Sequence, residues 1–209
     1  RGLGDVYKRQ GRDRLGDGVQ GVIGARGGCT TPWRSALLVE DATLGRGDAF
    51  GWVVEFDPLD PQSVPAKRTA LGRFAHGDAA AALTQDGRAV VYMTDRRRGG
   101  CLYRFVSDGA AEIGALDAGQ LSVAAIQGET LRWVAIADPS GAQAAGGTPL
   151  DVPSGLAVAP GAPRLFLAIR GGAGQVIEIN ANAGDHAAET ATVRGLLTGR
   201  AAPPLPDPN

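Results

Sequence analysis

The sequence predicts an all-β chain folded as a partial β-propeller of about four blades. Three observations predict it. Of 209 residues, 32 are Gly and 13 are Pro, so about a fifth of the chain favours turns, well above average usage. The apolar runs between those turns are short and carry β-branched or aromatic residues. Strand-turn-strand units also recur: AAAALTQDGRAVVYMTDRRRGGCLYRFVSDG lays over GLAVAPGAPRLFLAIRGGAGQVIEINANAGD with few gaps. Repetition of meanders that cannot bury their faces alone is a propeller signature, at roughly 40 to 50 residues per blade. A β-sandwich is the alternative that short antiparallel strands also allow.

Taken in order, Gly51 to Phe56 (GWVVEF) reads as a strand stopped by Asp57-Pro58 and Asp60-Pro61. Ala79 to Leu83 and Ala89 to Thr94 flank the turn Gln85-Asp86-Gly87, a hairpin signal. Arg96 to Gly100 is a second turn, followed by a strand at Cys101 to Val106. Leu121 to Ile126 and Leu131 to Ile136 form a further hairpin. The second unit runs Leu156 to Ala159, Arg164 to Ile169 and Gln175 to Ile179, joined through Pro160 to Pro163 and Gly171 to Gly174.

The ends read differently. The chain starts at Arg1, its only Met is Met93, and RGLGDVYKRQ resembles translated sequencing adapter from metagenomic reading frames. Residues 1–10 are therefore set apart as a non-native segment, residues 11–200 as the propeller, and residues 201–209 (AAPPLPDPN) as a Pro-rich tail or linker. The whole reads as a fragment, and no export signal is visible in it.

Charge excludes some partners. Lys+Arg 21 against Asp+Glu 22 leaves a net charge of −1, so no basic face for nucleic acid is expected. No apolar run approaches the roughly 20 residues of a membrane-spanning helix. Cys29 and Cys101 form no CxxC pair, and two unpaired thiols are the plainer reading beside a single bridge. No GxSxG elbow, HExxH helix or Walker loop is present.

The chemistry is sought at strand ends, where Glu40-Asp41, Asp78 and Asp95 supply carboxylates of the kind that bind calcium through oxygen. His76 and His186 read first as ordinary polar residues. Arg96-Arg97-Arg98 in a hairpin turn reads first as solvated, with phosphate binding through forked guanidinium donors as the alternative.

The runs Thr31-Pro32-Trp33, Leu37 to Asp41, GWVVEFDPLDPQSVPAKRTALGRF, QDGRAVVYMTD and LYRFVSDG resemble the PhoX-type alkaline phosphatases, whose members read TPWGT, GEEN, YGWVVEIDP, KRTALGRFKHEGA and YMGDDER. The resemblance is close over residues 24–109 and looser through Gly147-Thr148-Pro149 and Val152 to Gly155. It implies a six-bladed ring, twin-arginine export to the periplasm or cell exterior, and hydrolysis of a phosphorylated small molecule at an iron–calcium cluster. Carried over by position, it places Glu40 and Asp41 at the paired acids and Asp95 at the first acid of GDDER, with calcium the cation these three suit. Trp33 is a packing residue in either reading.

The same comparison finds departures. Gly77 stands where the family's HEG triplet has its glutamate, and Asp78 substitutes only if the strand bulges, since one step along a strand reverses the face. Arg96 and Arg97 replace acids, which opposes cation binding by like-charge repulsion. Val152, Pro153 and Ser154 replace the RPEG arginine and glutamate, and Arg26 falls at the cysteine ligand, with Cys29 three residues on. The metal candidates are thus Glu40, Asp41, Asp95, Asp78, His76 and Cys29. The reading is a phosphatase-like propeller whose metal and phosphate site is degenerate, no catalytic residue being assignable. The alternative is a non-catalytic ligand- or protein-binding scaffold, which calls for a concave pocket lined by Glu40, Asp41, His76 and Asp95.

Overall fold

The computed structural model describes residues 22–44 and 49–199. The segments expected at 1–10 and 201–209 lie outside the described residues. Within them the regular structure is strands and single 3-10 turns, and no described helix is long and apolar enough to cross a membrane.

The first meander is β1 (Gly27–Thr30), β2 (Ala36–Val39), β3 (Val53–Phe56) and β4 (Ala66–Lys67), antiparallel and hydrogen-bonded in chain order. The second opens with β5 (His76–Leu83) and β6 (Arg88–Asp95). The short β7 (Arg98–Gly100) then leaves the sheet, and β8 (Leu102–Ala110), β9 (Gly119–Gln127) and β10 (Thr130–Ala135) complete it. β11 (Leu150–Asp151) pairs with β7 and leads into the third meander, β12 (Pro153–Val158), β13 (Arg164–Ile169), β14 (Gln175–Ala181) and β15 (Thr190–Thr198). The sequence repeat is therefore a structural one: β5, β6 and β8 correspond to β12, β13 and β14.

The second and third meanders join at their outer edges, where β10 pairs with β15. Their inner strands also meet. The Leu156 amide on β12 donates to the Asp78 carboxylate on β5 at 2.9 Å, and the Thr94 hydroxyl donates to the Ser154 carbonyl at 3.1 Å. On its other flank β5 neighbours β1, whose Gly28 amide donates to Asp78 at 3.1 Å. The second and third meanders thus form one nine-stranded sheet that nearly closes where β5 and β12 lie side by side, and with the first meander set against β5 the described residues are an all-β partial propeller.

Packing explains the sequence pattern of the middle blade. Along β6, Ala89, Val91 and Met93 enter a core shared with Leu37, Val39, Val53, Phe74 and Phe105. The alternate residues Val90 and Tyr92 enter a second core with Trp133, Leu165, Leu167, Ile177 and Ile179. Successive side chains point to opposite faces, and here both faces are covered, so the run is apolar throughout rather than alternating. The third blade alternates instead. Leu165, Leu167 and Ile169 of β13 are buried on one side, while Phe166 and Ala168 are only half-buried on the other.

No strand is read from the sequence at β1, β2, β4, β11 or β15. β1 (GGCT) holds two glycines, and β15 is half exposed with Thr, Arg and Gly among its apolar residues, so neither shows a clear period. The Arg96 to Gly100 turn is present, but its second half is β7. It closes tightly because Gly100 has no side chain: a Cβ there would lie 1.9 Å from the Asp95 carbonyl oxygen.

Candidate functional site

Glu40 and Asp41 follow β2, His76 opens β5 and Asp95 ends β6, so the fold brings four of the six predicted residues to one end of the first two blades. Asp41 bridges Ala75, the His76 amide donates to the Glu40 carbonyl at 3.2 Å, and His76 is the cross-strand partner of Asp95. Asp78 and Cys29 lie further along the inner strands. Among the described residues, no three His, Cys, Asp or Glu side chains gather on a common point suited to a metal.

Each carboxylate is instead engaged by the chain's own donors. Glu40 is fully buried. The Lys67 ammonium donates to both its oxygens at 3.0 Å, and the amides of Ile23, Gly51 and Trp52 donate at 3.0, 3.0 and 3.2 Å. Asp41, also fully buried, takes the Thr43 amide and hydroxyl on Oδ1 at 2.9 and 2.6 Å. Its Oδ2 takes Arg96 Nη1 at 2.8 Å and Arg26 Nε at 3.3 Å. Burial pushes the Asp41 pKa up, but the Thr43 hydrogen bonds and the two guanidiniums together outweigh it and hold the carboxyl below its usual range. Asp95 is gripped by its neighbour: Arg97 donates through its amide at 3.2 Å, through Nε at 3.0 and 3.1 Å, and through Nη2 at 2.5 Å. The same pairing raises the Arg97 pKa. Since a carboxylate offers about four lone-pair sites, these three have little acceptor capacity left.

The strand does bulge at Asp78. The register between β5 and β6 shifts between His76 and Ala79. The carboxylate so turned accepts backbone amides from Gly28, Ala79 and Leu156 at 3.1, 2.9 and 2.9 Å, one from each of the three innermost strands. Cys29 lies beside it, half-buried against the first core. Burial, with the Asp78 charge adding to it, pushes its thiol up to about 11, so it is neither a ready thiolate nor a prepared metal ligand. Cys101 is buried, its pKa also raised by burial, and both thiols are free.

His76 is the exception in this set. It is fully buried, stacked on Phe74 with ring centroids 3.7 Å apart. Its Nδ1 lies 3.1 Å from the Phe74 carbonyl, which can only accept, so the proton sits on Nδ1. Nε2 is then left as a buried acceptor with no hydrogen-bond partner among the described residues. Burial drives the pKa down to about 4, against the opposing pull of the Glu40 and Phe74 carbonyls and the Asp95 and Asp41 charges. The sign follows from linkage. The folded form holds His76 neutral while the unfolded chain takes its proton near pH 6.5, so the full contribution is present above that pH and is lost as pH falls towards 4. Urea unfolding at pH 7 and pH 5 should show a loss of about 2 kcal/mol from this group, and His76→Phe should flatten the slope by that amount. Equal slopes in the two proteins would refute it.

All three guanidiniums of the arginine turn are paired with carboxylates, while the Arg97 and Arg98 side chains stay largely solvated, at 60% and 80% exposed. Arg96 reaches Asp41, Arg97 reaches Asp95, and Arg98 Nη1 lies 2.9 Å from Asp151. An open cleft of about 670 Å³ runs beside it, lined by Thr43, Arg73, Asp95, Arg97, Arg98 and Tyr103 among others. Of the four residues expected to line a concave pocket, Asp95 lines this cleft, whereas Glu40, Asp41 and His76 are fully buried and do not line it.

The reading of the sequence missed the cations that complete these pairs. Lys67 and Arg68 are adjacent, and Lys67 serves Glu40 while Arg68 Nε donates to Glu55 at 2.8 Å. Glu55 also accepts from Trp33 Nε1 at 2.8 Å and the Ser35 hydroxyl at 2.6 Å, so Trp33 packs and hydrogen-bonds at once. The available signal was the Lys-Arg pair beside a strand that itself carries a buried acid. His186 is likewise buried, its Nδ1 2.9 Å from the Tyr92 hydroxyl, and burial lowers its pKa.

The family model "Alkaline phosphatase PhoX" matches residues 5–196. No curated protein matches the chain. Among solved structures, Pseudomonas fluorescens PhoX in complex with vanadate, a transition state analogue, superposes with a TM-score of 0.75 at 26% identity. The match covers 84% of this chain and 47% of that one, so the chain spans about half the length of the structure it matches.

Proposed function

Because the chain belongs to the PhoX family of alkaline phosphatases, we propose that it is a phosphatase-like propeller whose metal and phosphate site is degenerate, without an assembled iron–calcium cluster. One observation carries this reading: the carboxylates at the family's acidic positions are paired with Lys67, Arg96 and Arg97. The donor set does not fit the cluster. Closely spaced cations need anions between them, whereas here Glu40, Asp41 and Asp95 each already have a fixed cation that repels an incoming metal, and Asp78 is taken up by three backbone amides. His76 Nε2 is the exception among these candidates, and a single nitrogen supplies neither the charge nor the ligand number that iron with calcium requires. The arginine and glutamate of the family's phosphate-contacting segment are absent as well, Pro153 and Ser154 being consumed in β12. Nothing in the chain is assigned a catalytic role.

The test is direct. Purified protein supplied with calcium and iron should show no hydrolysis of p-nitrophenyl phosphate above the blank and retain no stoichiometric iron. Turnover accompanied by bound iron would overturn the proposal. Periplasmic or extracellular residence follows from the family and belongs to the same reading.

The cleft supports a second reading, a non-catalytic ligand-binding scaffold. Its Arg97 guanidinium is held in place by Asp95 and faces an open volume large enough for a small polar ligand.

A further inference from the structure

Resting on that reading of the site, we infer that the turn Arg96-Arg97-Arg98 is the resident cation at this end of the described residues, fastening the carboxylates of Asp41 after β2, Asp95 at the end of β6 and Asp151 on β11, the strand that leads into the third meander. Three consecutive arginines reach them at 2.8, 2.5 and 2.9 Å. Adjacent residues can reach three separate carboxylates because Arg96 and Arg97 form a turn and only Arg98 belongs to a strand, β7. The Arg96 amide donates to the Ala75 carbonyl at 2.8 Å, and the Gly100 amide closes back on the Arg97 carbonyl at 2.9 Å, so the guanidiniums fan outward from a fixed loop.

Burial grades the three contacts. The Asp41 and Asp95 side chains are 0% and 2% exposed, whereas those of Arg98 and Asp151 are 80% and 37% exposed. The Asp41 pair, with Arg96 29% exposed, is therefore the best shielded of the three; the Asp95 pair is partly screened because Arg97 is 60% exposed, and the third is a surface pair worth little. A covalently tethered cation differs from a metal in one functional respect: it does not dissociate, so the fastening is indifferent to chelators and to the supply of divalent ions.

A thermal double-mutant cycle on Arg96 and Asp41, run in excess EDTA, tests this. Arg96→Gln should lower Tm by roughly 4–8 °C and leave Asp41 with only the longer contact to the more exposed Arg26. Asp41→Asn should lower it comparably. The double variant should lose much less than the sum, because both charges leave together. Arg98→Gln should shift Tm by no more than about 2 °C. If Arg96→Gln does not fold, Asp41→Asn/Arg96→Gln should recover a cooperative transition. Additive losses, an unchanged Tm in Arg96→Gln, or a double variant that stays unfolded would overturn the inference. The two readings fail separately: phosphatase turnover with bound iron sinks the proposed function, whereas an additive cycle in an inactive protein sinks the clasp alone.

Discussion

Glu40→Ala is expected to destabilise the protein by about 3–5 kcal/mol, the range for removing one partner of a buried ion pair. The reason is what it leaves behind. Lys67, its side chain 3% exposed, would keep only the Ala49 carbonyl at 2.6 Å and the face of Phe50, 4.3 Å from its ring centroid. The amides of Ile23, Gly51 and Trp52 would lose their shared acceptor in the same step. Glu40→Gln preserves the shape and one acceptor oxygen, so it should cost less than the alanine but still leave the ammonium uncompensated. Urea unfolding in the presence and absence of calcium checks this. A residue that served mainly as a calcium ligand would give a variant as stable as the parent without calcium and less stable with it, and that pattern would contradict the assignment.

Asp78→Ala is the second large effect. One carboxylate accepts amides from β1, β5 and β12, and its removal leaves up to three backbone donors to find other partners. Each buried unsatisfied donor costs about 1–3 kcal/mol, and water reaches some of this half-buried position, so a loss of about 3 kcal/mol is expected. The loss should be local as well as global: hydrogen exchange at the Gly28 and Leu156 amides should accelerate more than exchange at core positions of β6. Uniform acceleration throughout the sheet would show that Asp78 does not tie the inner strands together. Gly27 reinforces the same point, since a Cβ there would sit 2.4 Å from Asp78 Oδ1.

The strands of the middle and third blades were legible because their apolar runs are short, β-rich and bounded by turn residues; Arg164–Ile169 was read to the residue. β1 and β15 were not, since glycine in one and solvent-exposed polar residues in the other weaken the period that sheet burial would impose. At the site, sequence located Glu40, Asp41, His76 and Asp95 near one another through the resemblance to a family. It could not supply their partners. Whether Arg96 points to solvent, phosphate or a carboxylate depends on a loop closed by Gly100 and on a contact spanning 55 positions to Asp41, which no local pattern encodes. The bulge at Asp78 is a condition that the resemblance and strand geometry set together, whereas its amide partners come only with the assembled strands.

Calcium titration of the intact protein by calorimetry or terbium luminescence tests the central claim most directly, because it asks whether Asp41 and Asp95 are available to a divalent cation. The arginine pairing predicts no saturable binding that depends on these residues. A stoichiometric site that Asp95→Asn abolishes would contradict it.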